Sequence, residues 1–590
     1  MAESGDIGGA GPAWTARRGL VNLTTWEAGV EEVLPDEQRL WCGGRGLNAA
    51  VMRNELPEGL KPFNPDVPLV FSAGLLAGSG VPCAGALYAA TLVPGPVPPN
   101  YGTLVLQGSL GTALKRAGLA QIVIRGAAEH PVFLEVGEDG VRFHDAADLW
   151  GLDPVSASVA MQERIRNPQA APLAIGPAGE NRSRIASLLA DFAWPADGLG
   201  FGAALGGKNL KGIVFHGGNG VRPWDRRRFE KGCRALRSAV AGDAGMRMVA
   251  DRGPALPLQD RAGAPGRASF ANFASLRRLA TLDGLARRAG DPRLACTGCP
   301  CACNTDGLRR GREGRRRRIA GLGTEALLDL GPRIEVRSWD RTVDLTGEAL
   351  QRGLDPAGVG ALASWLSACR AQGLLSSREA GDGVSFRDAD AVSSLMRALA
   401  SREGAGRYLG EGALRAGKRI GGEAQGLLVS WCGVDWPGAD PRVFPGAALA
   451  FASAPFDPDV FLYVNLLDCG DLAVHYLEDV SDPETEVRKR QERRALADSL
   501  GVCSLPLAAL PVWNPEDLLE VTHALTGLEP SSTGSLGKRV LALERMLRTR
   551  KGSEVPGRLP GVFEDGSTWA ETIGPEDFLA SALRLLGGEG

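Results

Sequence analysis

The sequence predicts an α+β protein in which a β-rich N-terminal domain is followed by mostly α-helical middle and C-terminal domains. Three observations carry that expectation. Short β-like runs cut by Gly and Pro crowd the first 220 residues, helical periodicity dominates from about residue 225, and 590 residues exceed one ordinary core. The expected division is 1–220, 221–385 and 386–590.

The predicted strands are Pro68–Ser72, Thr103–Leu106, Gln121–Arg125, Pro131–Val136 and Gly212–Phe215, each rich in β-branched or aromatic residues. Glycine-dense turns separate them, at Gly43–Gly46, Gly74–Gly80, Ile175–Glu180 and Gly198–Gly202. His216–Gly220, followed by Val221-Arg222-Pro223, reads as the linker to the second region. Beyond it, Arg227–Arg237, Leu362–Cys369, Val392–Leu399 and Gly537–Leu547 repeat apolar residues at i, i+3, i+4 and i+7, the spacing of one buried helix face. Ser376–Gly383 is a polar, turn-rich boundary, and Lys551–Gly566 a loop. The charged stretch Asp471–Arg494 reads as an exposed helical face.

Composition narrows the function. Hydrophobic residues at 44% and charged residues at 23% describe a globular chain, and no run of about 18 apolar residues would span a bilayer. A net charge of -3 supplies no global attraction to nucleic acid or an anionic membrane. The acidic start, Met1–Asp6, has no apolar signal region, so a cytoplasmic location is expected. Eleven cysteines, an odd number, argue against a disulfide framework. Cys42, Cys83, Cys233, Cys369, Cys432 and Cys469 read as small buried apolar residues.

Four of the eleven are concentrated in Cys296-Thr-Gly-Cys-Pro-Cys-Ala-Cys303. The spacing Cys296-x2-Cys299-x3-Cys303 can wrap three thiolates around one small object, with Gly298 and Pro300 bending the backbone; an iron–sulfur cluster is the expected occupant. Structural zinc would want a further Cys or His pair nearby, and His216 and His475 are remote. A catalytic thiol would need a local base, which is missing. Cys301 is crowded by its neighbours, so a fourth ligand from elsewhere is expected. Cys503, in Asp498-Ser-Leu-Gly-Val-Cys503, competes for that place with Cys469. The arginines that follow, Arg309, Arg310, Arg312 and Arg315–Arg318, read as a solvated hairpin that could also steer an acidic electron carrier.

Cys296-x2-Cys299-Pro300-x2-Cys303 together with Asp498-x2-Gly501-Val502-Cys503 resembles the split cluster motif of the tungsten-containing aldehyde:ferredoxin oxidoreductases, in which the second element supplies the fourth ligand. The resemblance therefore selects Cys503 over Cys469. It extends through Gly43–Leu47, Asn54–Pro57, Phe71–Gly78, Leu114–Gly118, Ile175–Glu180, Lys208–Lys211, Gly353–Asp355, Asp440–Arg442 and Leu543–Arg545. It implies a 4Fe-4S cluster on Cys296, Cys299, Cys303 and Cys503 beside a tungsten or molybdenum bis-pterin, with Arg45, Asp355 and Asp498 as cofactor-binding residues. It implies oxidation of an aldehyde to a carboxylic acid, with Glu325 as the acid–base group, electrons passing singly to a ferredoxin-like carrier, and a possible homo- or hetero-oligomer.

Departures from the pattern gather on the pterin side. An expected arginine after Gly85 is Ala86, a second falls in Asp197-Gly-Leu-Gly200, and a polar turn is replaced by Leu104-Val-Leu-Gln-Gly108. The first carboxylate of another motif is Leu350, only Glu325 remains in Gly321–Glu325, and a histidine is lost within Ser453–Asp459 unless His475 substitutes. These losses open an alternative expectation: a non-catalytic homologue that keeps the cluster as an electron-transfer or scaffold subunit.

Overall fold

The computed structural model describes residues 16–587, apart from 197, 254–266, 280–292, 311–315, 376–382, 439, 455, 457–481, 511, 530–532, 550–556 and 565–573. Cys469, His475, most of Ser453–Asp459, and the turn-rich boundary at 376–382 thus lie outside the described residues.

The N-terminal region is built on two six-stranded mixed sheets. The first runs β2 (Glu27–Glu32), β1 (Arg17–Asn22), β6 (Gln121–Arg125), β3 (Leu69–Ala73), β4 (Leu87–Val93), β5 (Asn100–Leu106). The second runs β11 (Trp194–Ala196), β10 (Leu188–Ala190), β9 (Ala171–Ala174), β12 (Leu210–Phe215), β7 (Val132–Gly137), β8 (Gly140–Asp145). Each contains one parallel pairing, β1 with β6 and β7 with β12. β3 and β4 are buried along their whole length, which explains their near-continuous apolar sequence.

Every predicted strand is present, with its ends within three residues of the expected ones. The predicted helices are also found, longer than their periodic cores: Arg226–Gly242, Pro356–Ala371, Ala389–Ser401 and Leu536–Thr549. Residues 216–223 carry no regular element, as the linker reading expected. The later regions are mostly helical but also hold three small antiparallel β units, one of which carries the cysteine run between Arg293–Leu294 and Asn304–Arg310. Within the arginine-rich stretch, Asn304–Arg310 pairs antiparallel with Arg316–Ala320, while Arg312 and Arg315 lie outside the described residues.

The charged stretch differs from its expectation. Its described part is the helix Pro483–Leu500, in which Arg490 and Arg494 are 2% and 1% exposed. Arg490 donates to the carbonyls of Ala508 and Ala509 at 2.8 and 2.7 Å, and Arg494 to Asp498 at 3.2 Å. Guanidinium groups satisfied this way can be buried, so charge density alone did not reveal the face.

This helix joins the C-terminal half to the first sheet. It ends at Gly501, in the left-handed conformation (φ 88°), where the chain turns against the loop after β3. Leu75 N–H donates to Ser499 O at 3.3 Å and Leu76 N–H to Leu500 O at 2.7 Å. A Cβ on Gly74 would stand 1.9 Å from Gly501 Cα, so both glycines are required by the approach of two backbones. Gly74→Ala is expected to destabilise the protein by about 3 kcal/mol, through overpacking against backbone that cannot give way. A thermal scan should show a clearly lower unfolding temperature, whereas Gly59→Ala, at a turn with no atom near the added methyl, should be limited to its local backbone penalty.

Candidate functional site

Six thiols meet where these elements converge. Cys83 on the β3–β4 loop, Cys296, Cys299, Cys301 and Cys303 on the cysteine run, and Cys503 after the Pro483–Leu500 helix line one small cavity, with Tyr88, Arg494, Asp498 and Met246. The two sequence-predicted pieces of the split motif are thus brought together. Cys503 N–H donates to Cys83 O at 2.9 Å, holding the fourth expected ligand against the β3–β4 loop. Cys301 also lines this cavity, its thiol directed to Met246 O at 3.6 Å.

Hydrogen bonds reach the sulfurs from several directions. Gly108 N–H points to Cys296 Sγ at 3.4 Å, Cys301 N–H to Cys299 Sγ at 3.4 Å, and the Cys83 thiol to Cys299 Sγ at 3.6 Å. The Cys83 hydrogen bond, together with backbone donors, outweighs burial and lowers the Cys299 thiol to about 6. Cys303 is lowered by its hydrogen bond from Cys301, while burial pushes Cys296 and Cys503 up. Among the described residues, no three His, Cys, Asp or Glu side chains converge as they would on a single metal ion. Thiols ringing a cavity rather than a point suit a polynuclear cluster better than a mononuclear zinc.

Cys83 was read from sequence as a small buried apolar residue, and its burial agrees. What sequence reasoning missed is that its loop faces the cysteine run. The available signal was its position two residues before Gly85, in a segment already expected to approach the cofactor.

A second, larger cavity of about 360 Å³ adjoins the first, the two sharing Val105, Gln107, Cys303 and Leu505 in their walls. Leu104 and Leu106 do not fill it. Strand alternation turns both into the core and leaves Val105 and Gln107 on the cavity side. Glu325, at the first turn of the helix Thr324–Asp329, and Asp355, preceding the helix Pro356–Ala371, both line it, with Asp435 and Glu411. Asp355 caps its helix by accepting from Ala357 N–H at 2.9 Å. Burial, reinforced by the charges of Asp329 and Asp435, raises its carboxyl to about 7; burial raises Asp435 to about 6.

Arg184 is the lone guanidinium lining this cavity among the described residues, and it is already paired with Glu411 at 2.5 Å. Carboxyl groups and Gln107 can accept hydrogen bonds from the amino groups of a pterin, but the described walls offer no uncommitted cation for its phosphates. The residues fit the ring portion of such a group and not its anionic ends.

Arg45 and Asp498 belong to a buried charge network. The Arg45 guanidinium grips Glu544 in a bidentate pair (2.9 and 2.7 Å) and reaches Asp498 at 3.1 Å, while Arg494 approaches the same Asp498 oxygen. Tyr101 OH donates to Glu544 at 3.1 Å. Arg45 lines neither cavity, whereas Asp498 lines the thiol cavity.

Two outcomes are expected. Arg45→Ala leaves two buried carboxylates short of a partner and should cost about 3–5 kcal/mol, seen as a lower unfolding temperature. The raised Asp355 pKa contributes stability that is full below about 4 and lost as pH rises through about 7. Asp355→Asn keeps the helix cap and removes the titration, so its stability should fall less steeply than wild type across that range in chemical denaturation.

The geometry can be set beside known proteins. The family model of the aldehyde ferredoxin oxidoreductase N-terminal domain matches residues 19–217, and that of domains 2 and 3 matches residues 269–568. The chain is 25% identical over 610 residues to a tungsten-containing aldehyde ferredoxin oxidoreductase of Pyrococcus furiosus, covering 96% of this chain and 95% of that protein. It is also 25% identical, over 430 residues, to the WOR-like subunit of an aliphatic sulfonate oxidoreductase of the same organism, covering 70% of this chain and 68% of that one. Among solved structures, the active-site complex BamBC of benzoyl coenzyme A reductase has the same fold, with a TM-score of 0.79 at 20% identity, over 98% of this chain and 95% of the other. With both family models matched across most of its length, the chain belongs to the aldehyde ferredoxin oxidoreductase family.

Proposed function

We propose that this protein is an iron–sulfur oxidoreductase that converts an aldehyde and water to a carboxylic acid, releasing two electrons and two protons. The electrons leave through a 4Fe-4S cluster held by Cys296, Cys299, Cys303 and Cys503. One observation carries the reading: the carboxylate-lined cavity and the thiol cavity share a wall formed by Val105, Gln107, Cys303 and Leu505. A substrate-sized space with acid–base groups therefore lies directly against the thiols.

Bound in the larger cavity, a tungsten or molybdenum pterin would supply the two-electron acceptor for the oxidation. The protein's own part is to orient and to handle protons. Glu325, half-buried at the cavity wall, takes up the proton lost as water adds. Asp355, with a pKa near 7, is partly protonated at neutral pH and can donate as well as accept. Apolar walls from Val105, Leu322, Trp436 and Phe451 limit the water that reaches these groups. The arginine-rich hairpin that directly follows Cys303 would receive an acidic, ferredoxin-like electron carrier. No described helix is long and apolar enough to cross a membrane, and the free thiols favour a reducing, cytoplasmic setting.

A second reading is favoured by a specific observation: Asp498 and Arg184 are already committed to internal ion pairs, and Ala86 and Leu199 stand where phosphate-binding arginines were expected. In that reading the chain keeps its cluster but not the pterin, and serves as an electron-transfer or scaffold subunit of an oxidoreductase complex.

Metal and pterin analysis after anaerobic purification separates the two. About four irons per chain with tungsten or molybdenum and extractable pterin is the expected result. Four irons without either supports the subunit reading, and an iron-free protein contradicts both. If the metal is present, Glu325→Gln should slow aldehyde turnover by roughly a hundredfold to ten-thousandfold without changing metal content.

A further inference from the structure

The thiol cavity contains more sulfur than a four-ligand cluster uses. Of the two additional thiols, Cys83 has the more specific geometry. It is buried at 4% exposure, on a different segment from the cysteine run, with its Sγ 3.6 Å from Cys299 Sγ. Its backbone is fixed rather than incidental: the carbonyl accepts from Cys503 N–H at 2.9 Å, and the residue adopts a positive φ of 61°. One residue therefore touches both halves of the split motif, Cys503 through its main chain and Cys299 through its side chain.

Resting on the cluster reading above, we infer that Cys83 is not a ligand but a positioning residue, whose S–H donates a hydrogen bond to the Cys299 sulfur and thereby raises the reduction potential of the cluster. The physical reason is electrostatic. Each reduction step adds negative charge that spreads onto the ligating sulfurs, and a donor aimed at one of them favours the more negative state. Cys299 would then receive the Cys83 thiol in addition to backbone donors from Cys301 and Ala302, against the single Gly108 N–H found on Cys296. The Cys83 bond is the one a side-chain substitution can remove. Burial strengthens it, because in a region closed to water no solvent molecule replaces a lost donor.

The test uses the full-length protein purified anaerobically, with Cys83→Ala and Cys83→Ser beside wild type. Iron per chain and the cluster's midpoint potential, from a redox titration followed by electron paramagnetic resonance, are the readouts. The expected result is unchanged iron in both variants, a lower potential in Cys83→Ala, and a potential nearer wild type in Cys83→Ser, whose hydroxyl can still donate. A Cys83→Ala protein with full iron and an unchanged potential overturns the inference. So does loss of iron from Cys83→Ala with retention of its fold by circular dichroism, which would make Cys83 a ligand. Wild-type protein without iron overturns the cluster reading and this inference with it, an outcome distinct from the other two. Should Cys83→Ala not fold, Cys83→Val, close in size and without a donor, takes its place: an unchanged iron content with a lowered potential sustains the role, and an identical potential removes it.

Discussion

The buried ion network of Arg45, Arg494, Asp498 and Glu544 is the constraint on which the rest of the structure depends. Arg45 and Arg494 face Asp498 and Glu544 in a region closed to water, where an unpaired charge would be costly, and Arg548 adds a third guanidinium at 3.4 Å from Glu544. Its members come from three helices, Gly44–Glu55, Pro483–Leu500 and Leu536–Thr549, so satisfying it sets their relative position. The close approach of Gly44 to Asp498 makes the same demand on the backbone: a Cβ there would stand 2.0 Å from Asp498 O. Once the end of the Pro483–Leu500 helix is fixed against the first sheet, Gly501 can turn and Cys503 is delivered to the β3–β4 loop. The network thus assembles the thiol site, and two of its members, Arg494 and Asp498, form part of that site's wall.

The site combines two environments, one of sulfurs and one of carboxyl groups. On one side, backbone N–H groups and a neighbouring thiol point at sulfurs, which lowers the energetic cost of gathering several thiolates in one place. On the other, buried carboxyl groups with pKa values near neutrality hold and release protons without leaving permanent charge in the cavity. The shared wall keeps the path between the two short. What the described walls of the cavity do not offer is a ready cation for phosphate, and that is where this chain differs most from what its motifs lead one to expect.

How much of this was legible in the sequence depended on how local the information was. Strands such as Gln121–Arg125 and helices such as Ala389–Ser401 were readable because burial follows a short repeat within one segment. The meeting of Cys296, Cys299, Cys303 and Cys503 at one cavity was readable, the first three from their spacing and Cys503 from the family resemblance that singled it out. The pairing of Arg45 with Glu544 was not, since those residues are 499 positions apart and Arg45 was expected to bind a cofactor instead. Arg490 and Arg494 were misread as exposed for the same reason: their partners are carbonyls and a carboxylate that only the fold brings within reach. Cys83 looked apolar because a buried thiol and a small hydrophobe are alike in sequence until a second sulfur faces them. Leu104 and Leu106 replace a polar turn in the sequence yet stay out of the larger cavity, because a strand turns alternate side chains away.

The central claim is that the two distant motifs close around one iron cluster at the junction of the first sheet and the Pro483–Leu500 helix. The most direct test is an anomalous difference map collected at the iron absorption edge from crystals grown anaerobically. The account predicts compact iron density enclosed by Cys296, Cys299, Cys303 and Cys503, within bonding distance of all four sulfurs and with Cys83 beside Cys299. Density reached by only three of those sulfurs, a lone zinc atom, or four uncoordinated thiols would contradict it.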